Sequence, residues 1–359
     1  MERIEVDLKD RSYTIHIGDN AWQLLPEFLG DPGRGGKIMV VTDDRVGGLY
    51  AERLMNYLSG HGAEACFHSI PEGEASKSFS HLEGLCRRMA EQALDRDCLV
   101  LAMGGGVVGD LAGLAASVYL RGVHFVQLPT SLLAMVDSSV GGKTGINIPE
   151  GKNLVGTFHQ PTAVFIDTSV LPTLSARDWY AGMAEVLKIA LTLDPSLFGY
   201  LEEVRDLGPS GGVDPVRIVS AACRRKAEIV REDERESGLR RVLNFGHTAA
   251  HALEASLGYG VIRHGEAVVL GMMAALELSR RLCGLPDGGH RRAMEVLSRV
   301  PVPVTALPEE AAGFLSRDKK SRQGEVTAVL LEDIGKVALV PLDRPEDLVD
   351  ALRDALDRR

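Results

Sequence analysis

The chain of 359 residues lacks the features that mark several large protein classes. It has five cysteines (Cys66, Cys86, Cys98, Cys223 and Cys283), odd in number, scattered and without a C-x-x-C pair. A disulfide framework and a cysteine-based zinc site are therefore not expected. It has no excess of positive charge: 40 Lys and Arg against 50 Asp and Glu leave a formal net charge of −10. Nucleic acid and anionic membrane are not expected as partners, though a basic pocket within an acidic surface would attract a small anionic substrate. Nor is there an uninterrupted apolar span. The most apolar stretch, Cys98 to Leu120, is broken by Gly104, Gly105, Gly106, Gly109 and Asp110, and reads as strand, turn and helix. The opening MERIEVDLKD is charged from its second residue. No signal peptide is expected, and a reducing cytoplasm is. There is no internal repeat and no low-complexity tract.

The length predicts roughly two domains. RIEVDL and SYTIHIG read as a short hairpin. GKIMVVTDD (Gly36 to Asp44), CLVLAM, VHFVQLPT and TAVFID are apolar, β-branched runs of buried-strand pattern, with helical segments such as SHLEGLCRRMAEQAL between them. That alternation predicts a parallel sheet with helices on its faces. After about Leu171 helical periodicity dominates to roughly Leu285, with a capped start at Ser175 and Asp178. A late hairpin, EVTAVLLEDIGKVALVPL, is expected to dock on this helical part. The boundary is placed at 170, giving domains 1–170 and 171–359.

Four places carry chemistry. MVDSSVGGKTG, Met135 to Gly145, ends like a P-loop, but that pattern needs Gly five residues before its Gly-Lys pair, where this chain has Asp137. A carboxylate there repels a triphosphate. A second GKN follows at Gly151, Lys152 and Asn153. In MGGGVVGDLAG, glycines between strand and helix let a backbone approach a phosphate, and Asp110 in that apolar turn needs a specific partner. In the helical half, Glu185 and Lys188 share a face, His247 and His251 stand four apart, and His264 opens an apolar helix. Glu185, His247 and His264 could converge on a divalent ion such as Zn²⁺. His247 and His251 could equally be the two imidazole ligands. The run from Arg231 to Arg241 reads as a solvated loop, with Glu236 and Arg240 excepted.

GGGVVGDLAG, RGVHFVQLPTSLLAMVDSSVGGKTGIN, GKNLVGTFHQP, AEVLK, LNFGHTAAHALE and RHGEAVVLGM, in order over most of the chain, resemble the 3-dehydroquinate synthase family. The resemblance implies an N-terminal Rossmann-like α/β domain, a mainly helical C-terminal metal-binding domain, and an active site in the cleft between them. It implies bound NAD, one divalent metal (zinc or cobalt), a cytoplasmic homodimer, and conversion of 3-deoxy-D-arabino-heptulosonate 7-phosphate to 3-dehydroquinate and phosphate. The implied chemistry is oxidation at C5 by NAD, phosphate elimination, return of the hydride, ring opening and an intramolecular aldol closure. The implied metal ligands are Glu185, His247 and His264. The implied NAD contacts are Asp43, the EGEASK segment (Glu72, Gly73, Glu74, Ala75, Ser76 and Lys77), the GVVGD segment (Gly106, Val107, Val108, Gly109 and Asp110), Thr130, Ser131, Lys143, Lys152, and Val170, Leu171, Pro172 and Thr173. The implied substrate and catalytic set is Asp137, Lys143, Asn153, Lys188, Lys226, Glu236, Arg240, Asn244 and His251. Arg121 is expected to reach a neighbouring subunit's site. RDKKSRQG matches a lysine motif of the family that Lys319 or Lys320 would supply. Where the family often has Thr-Thr, this chain has Thr130-Ser131. Related sugar-phosphate cyclases act on substrates without a carboxylate, and metal-dependent polyol or glycerol-1-phosphate dehydrogenases share the architecture. Arg240 and Lys226 favour the carboxylated substrate, and SSVGGKTG separates the chain from the dehydrogenases.

Overall fold

The computed structural model describes residues 1–30, 36–257, 261–304, 326–344 and 346–357, the side chain of 357 excepted. Lys319 and Lys320 lie outside the described residues. The chain forms two compact units, Met1–Leu174 with Lys226–Arg231, and Ser175–Arg225 with Glu232–Arg359.

The first unit is built on a seven-stranded sheet. Its strands are β1 (Glu2–Val6), β2 (Tyr13–Gly18), β3 (Ile38–Asp43), β4 (Ala65–Ile70), β5 (Leu99–Gly104) and β6 (His124–Pro129). A separate hairpin, β7 (Lys143–Ile148) and β8 (Gly151–Phe158), precedes β9 (Ala163–Asp167), which returns to the sheet. The order is β1-β2-β9-β6-β5-β3-β4, antiparallel only at β1–β2. Every residue of β5 and β9 is buried, which explains their continuous apolar runs: a parallel strand covered on both faces has no solvent side to alternate with. The strand order reverses between β3 and β5, and ligands of open α/β sheets bind outside the carboxyl ends of the strands at such a point.

Two glycines seat the helix that follows β5, Gly106–Val118. A Cβ at Gly109 would lie 2.8 Å from Gln127 Oε1, and one at Gly113 would lie 2.5 Å from the Thr144 methyl. The helix therefore packs close to both β6 and β7. The GGKT segment has the opposite order to a P-loop. It leaves a helical turn at Ala134–Ser138, passes Gly141 and Gly142 at positive φ, and enters β7 at Lys143. No helix N-terminus follows it to receive a phosphate.

The second unit is organised around the helix His264–Leu282, in which every residue from Gly265 to Ser279 is buried. A helix covered on all sides must be apolar all round, and its exceptions are paired. Glu277 faces His290 Nε2 at 3.1 Å and Arg280 at 3.4 Å. Glu266 accepts from Arg177 Nε at 2.6 Å and Nη2 at 2.8 Å. The late hairpin, β10 (Val326–Asp333) and β11 (Lys336–Leu342), docks on this helix as expected, with Leu331 N donating to Ser279 Oγ at 2.9 Å. The helix Glu346–Asp357 also packs on it and was not foreseen. Among the described residues no helix is long and apolar enough to cross a membrane.

Gly265 and Gly271 bring this central helix close to its neighbours. A Cβ at Gly265 would stand 2.2 Å from the Ala181 carbonyl oxygen, and one at Gly271 would stand 2.0 Å from that of Gly246. Backbone atoms cannot swing away, so any side chain there forces the elements apart. Gly265→Ala is expected to cost about 1–3 kcal/mol of stability by overpacking. Urea titration of the second unit's unfolding checks this. An unchanged midpoint would show that the two backbones are not held at this spacing.

Candidate functional site

The helix Ala176–Thr192 starts where Ser175 Oγ accepts the Asp178 amide at 3.1 Å. It carries Glu185 and Lys188, which are 1% and 2% exposed. A carboxylate that deep must be paired. Lys188 Nζ donates to Glu185 Oε2. Glu185 Oε1 lies 3.6 Å from His247 Nε2 and 3.6 Å from His264 Nε2, beyond hydrogen-bond reach of both. The three donor atoms all lie within 4.8 Å of one another. Donors about 2.1 Å from a tetrahedral ion stand roughly 3.4 Å apart, so this spacing suits a divalent ion better than direct contacts.

The imidazoles differ. Burial pushes His247 down to about 3, helped by the Lys188 charge and opposed by Glu185. Burial also opposes charge on His264, but the neighbouring carboxylates of Glu185 and Glu254 outweigh it and push His264 up to about 10. The two rings are thus driven in opposite directions. His251 lies near both: its ring centre is 5.7 Å from that of His247 and 6.3 Å from that of His264. It is solvent-exposed.

The loop before the histidine helix carries Glu236, Arg240 and Asn244. Arg240 is 2% exposed and donates through Nη1 to the Glu234 carbonyl at 2.6 Å. Asn244 Nδ2 donates to Glu236 Oε1 at 2.9 Å, and Glu236 sits at φ 58°. Asp233 ties the loop down. Its Oδ1 accepts from Ser237 N at 2.8 Å and Ser237 Oγ at 3.0 Å, and its Oδ2 accepts from Gly238 N at 2.8 Å and Arg240 N at 3.0 Å. The expected solvated loop is thus corrected at this residue, which is 7% exposed. An Asp followed by Ser and Gly four and five residues later was the available signal.

In the first unit several separate motifs meet at Lys77, itself 4% exposed. Its Nζ donates to Asp110 Oδ2 at 2.6 Å and to Asn153 Oδ1 at 2.5 Å. Burial raises the Asp110 carboxyl, and the Lys77 charge and hydrogen bond oppose that rise. Asn147, which sequence reasoning did not single out, links the pieces. It donates from Nδ2 to Glu74 Oε1 at 2.7 Å and accepts the Asn153 amide at Oδ1 at 2.9 Å. Its own amide donates to the Lys77 carbonyl at 2.8 Å. Asn153, expected in the substrate set, here joins the EGEASK and GVVGD segments. Ser76 Oγ donates to the Pro71 carbonyl at 2.6 Å, Gly73 takes φ 112°, and Glu72 faces Arg45 at 3.3 Å.

The Gly106–Asp110 segment is the first turn of its helix, and Gly105 before it offers no side-chain cap, so the helix N-terminus can receive an anion. Thr130 N donates to the Gly104 carbonyl at 3.0 Å, and a Cβ on Gly105 would stand 3.5 Å from Ser131 Oγ. Asp43 ends β3 and caps the next helix, accepting Val46 N at 2.8 Å. Val170 to Thr173 form a short helical turn, and the Tyr50 hydroxyl lies 2.7 Å from Thr173 Oγ1. Asp137 and Lys226, both expected to meet substrate, meet each other: Lys226 Nζ donates to Asp137 Oδ1 at 2.5 Å and to its carbonyl at 2.6 Å. Lys143 is exposed at the start of β7, and Lys152 lies on β8 beside Asn153. Arg121 is exposed at φ 70° in the turn after the Gly106–Val118 helix.

Residues 67–181 match the family model described as 3-dehydroquinate synthase N-terminal, and residues 182–321 match its C-terminal counterpart. The chain is 44% identical over 356 residues to the 3-dehydroquinate synthase of Geobacter metallireducens, covering 98% of each. Among solved structures it resembles a 2-deoxy-scyllo-inosose synthase complexed with carbaglucose-6-phosphate, NAD+ and Co2+. The TM-score is 0.88 at 25% identity, over 98% of this chain and 99% of that one. It also resembles 2-epi-5-epi-valiolone synthase from Streptomyces hygroscopicus with NAD+ and Zn2+ bound. There the TM-score is 0.84 at 30% identity, with the same coverage.

Asp233 supplies a pH test of the loop. Burial favours its neutral form, but three backbone amides and the Ser237 hydroxyl outweigh this and hold the carboxyl well below the usual range. A depressed folded-state value gives stability that is complete above about pH 4 and is lost as pH falls below that. Asp233→Asn turns an amide NH₂ toward two backbone donors. It should melt earlier than the wild type at pH 7, with the gap narrowing below about pH 4 as Asp233 takes up a proton in the wild type's unfolded state. Thermal melts across pH check this, and a gap independent of pH would refute it.

Proposed function

The chain belongs to the 3-dehydroquinate synthase family, and we infer from that membership and from its site chemistry how its residues divide the work. The reaction converts 3-deoxy-D-arabino-heptulosonate 7-phosphate to 3-dehydroquinate and phosphate. When bound, NAD supplies a reversible hydride acceptor for the substrate's C5, and the divalent ion supplies a Lewis acid for the hydroxyl being oxidised. The observation that carries this reading is the Glu185 carboxylate, with one oxygen on Lys188 and the other equidistant from two imidazole nitrogens.

Glu185, His247 and His264 hold the metal. Lys188 donates to Glu185 Oε2, and Oε1 is the oxygen that would face the ion. Arg240 binds the substrate carboxylate through a planar fork that a Lys could not match. Glu236 orients Asn244, and Asn244, His251 and Asn153 serve the phosphate. Asn153 spends its Oδ1 on Lys77, so its NH₂ remains the donor end, which suits an anion. Asp137, Lys226 and Lys143 complete the substrate set. The leaving phosphate takes the C6 proton, so no further base is required.

NAD is held by the first unit's motifs. The uncapped helix start at Gly106 receives the pyrophosphate, and Asp43 meets a ribose with the oxygen that does not cap its own helix. Glu72 to Lys77, Val107 to Asp110, Thr130, Ser131, Lys143, Lys152 and Val170 to Thr173 line the rest. Residues 1–170 are thus the cofactor domain and 171–359 the metal and substrate domain, with Lys226 grouped by the fold with the former. The enzyme works as a cytoplasmic homodimer in which Arg121 serves the neighbouring subunit.

Two experiments test this reading. Chelation should abolish activity and added Zn²⁺ or Co²⁺ restore it, while Glu185→Gln should take up metal far more weakly. Full activity in metal-free protein would sink the metal role. Phosphate release should be measured with 3-deoxy-D-arabino-heptulosonate 7-phosphate, glucose 6-phosphate and sedoheptulose 7-phosphate. Only the first should turn over efficiently, and Arg240→Leu should lose about 10–100-fold in kcat/KM on it, as expected for charge-assisted hydrogen bonds. Preference for a substrate without a carboxylate would overturn the substrate assignment.

A further inference from the structure

A neutral imidazole that gives Nε2 to a metal carries its proton on Nδ1, and that N–H needs an acceptor behind the ring. An acceptor stands behind each of the two metal-facing rings. His247 Nδ1 lies 3.3 Å from the Phe245 carbonyl oxygen. His264 Nδ1 lies 3.4 Å from Glu254 Oε2. The Glu254 side chain is only 5% exposed. It stands on the helix His247–Leu257 seven residues after His247, two turns along the same face. One helix face therefore supplies His247 itself and, two turns on, a buried carboxylate set against the Nδ1 edge of the opposite histidine. A buried carboxylate is costly unless something specific faces it, and here it faces a metal-facing ring from the side away from Glu185.

We propose that Glu254 is a positioning residue for the metal centre: its carboxylate accepts the Nδ1–H of His264, fixes that ring's tautomer and turns Nε2 toward the ion. This rests on the reading of Glu185, His247 and His264 as the metal set. The two histidines are then backed unequally, His247 by a neutral carbonyl and His264 by a charged carboxylate. A carboxylate behind the ring makes its Nε2 a stronger donor than a carbonyl does, so His264 is the tighter of the two nitrogen ligands. Glu254→Gln keeps an acceptor and removes the charge, which makes His264 resemble His247. Glu254→Ala removes the acceptor altogether.

The test uses the full chain stripped of metal and titrated with Zn²⁺ against a chromophoric chelator, for wild type, Glu254→Ala, Glu254→Gln and Glu185→Gln. Melting of each metal-free form and the visible spectrum of each Co²⁺ form are recorded in parallel. The expected result is a 10- to 100-fold loss of affinity in Glu254→Ala, a smaller loss in Glu254→Gln, and shifted Co²⁺ bands in both. A merely structural role would lower the melting temperature of the metal-free variants and leave the affinity and Co²⁺ bands of folded protein unchanged. That outcome, with Glu185→Gln impaired, overturns the role of Glu254 alone. Wild-type protein that takes up no ion, or Glu185→Gln that binds like the wild type, overturns the metal reading and this proposal with it. If Glu254→Ala does not fold, Glu254→Gln decides by the same two readouts.

Discussion

The second unit depends on a carboxylate that water cannot reach. Glu185 is 1% exposed, and an isolated charge at that depth would neutralise or unfold its surroundings. It persists because its two oxygens have different duties. Oε2 takes the Lys188 ammonium one helical turn away, and Oε1 faces two imidazoles at a distance too long for hydrogen bonds and suited to an ion. The same facts explain why burial and charge drive the two histidines in opposite directions.

Placing that carboxylate is a matter of backbone spacing. Glu185 and His264 lie on helices that touch at Gly265 and Ala181, while His247 follows Gly246, which touches Gly271. Both contacts are backbone against backbone on the one helix that is buried from Gly265 to Ser279. Arg177 and Glu266 add a two-pronged link between the starts of the same two helices. Glu185, His247 and His264 are thus held by rigid elements. Asp233 extends the principle to the loop: it spends its charge on backbone amides, including that of Arg240, so the loop's shape is set by hydrogen bonds within itself.

Strands β3, β5, β6 and β9 were legible because parallel strands buried on both faces leave continuous apolar runs, and the Ser175 helix start because its cap is local, whereas β4, mostly half-buried, was not. The β7–β8 hairpin was not recognised as such. β8 is partly exposed, so it carries no buried-strand pattern. The helix Glu346–Asp357 escaped for a related reason, since its apolar face has meaning only against the central helix. At the site, residue types that declare chemistry were found. Asn147, Asp233 and Glu254 were not, because an amide or carboxylate whose partners are backbone amides or the far edge of a histidine ring carries no spacing signature. Such roles exist only once the chain has folded.

The lysines show why composition says little about their roles. Lys77 is bonded to Asp110, Lys188 to Glu185 and Lys226 to Asp137, so each of these site cations sits against a carboxylate. Such pairs leave no basic excess, in keeping with a net charge of −10. Pairing also makes the two members unequal to either alone. Removing one partner of a buried pair leaves an uncompensated charge at a cost of about 3–5 kcal/mol, far more than the pair itself contributes. Lys77→Ala and Asp110→Ala should therefore each destabilise the first unit more than the double replacement does. For Lys226 and Asp137 the logic bears on function, because Lys226 already donates to the residue that broke the triphosphatase pattern. If Lys226 and Asp137 belong to the substrate set as proposed, an arriving anion would have to share that ammonium or displace the carboxylate from it, so Asp137 would set how strongly Lys226 attracts.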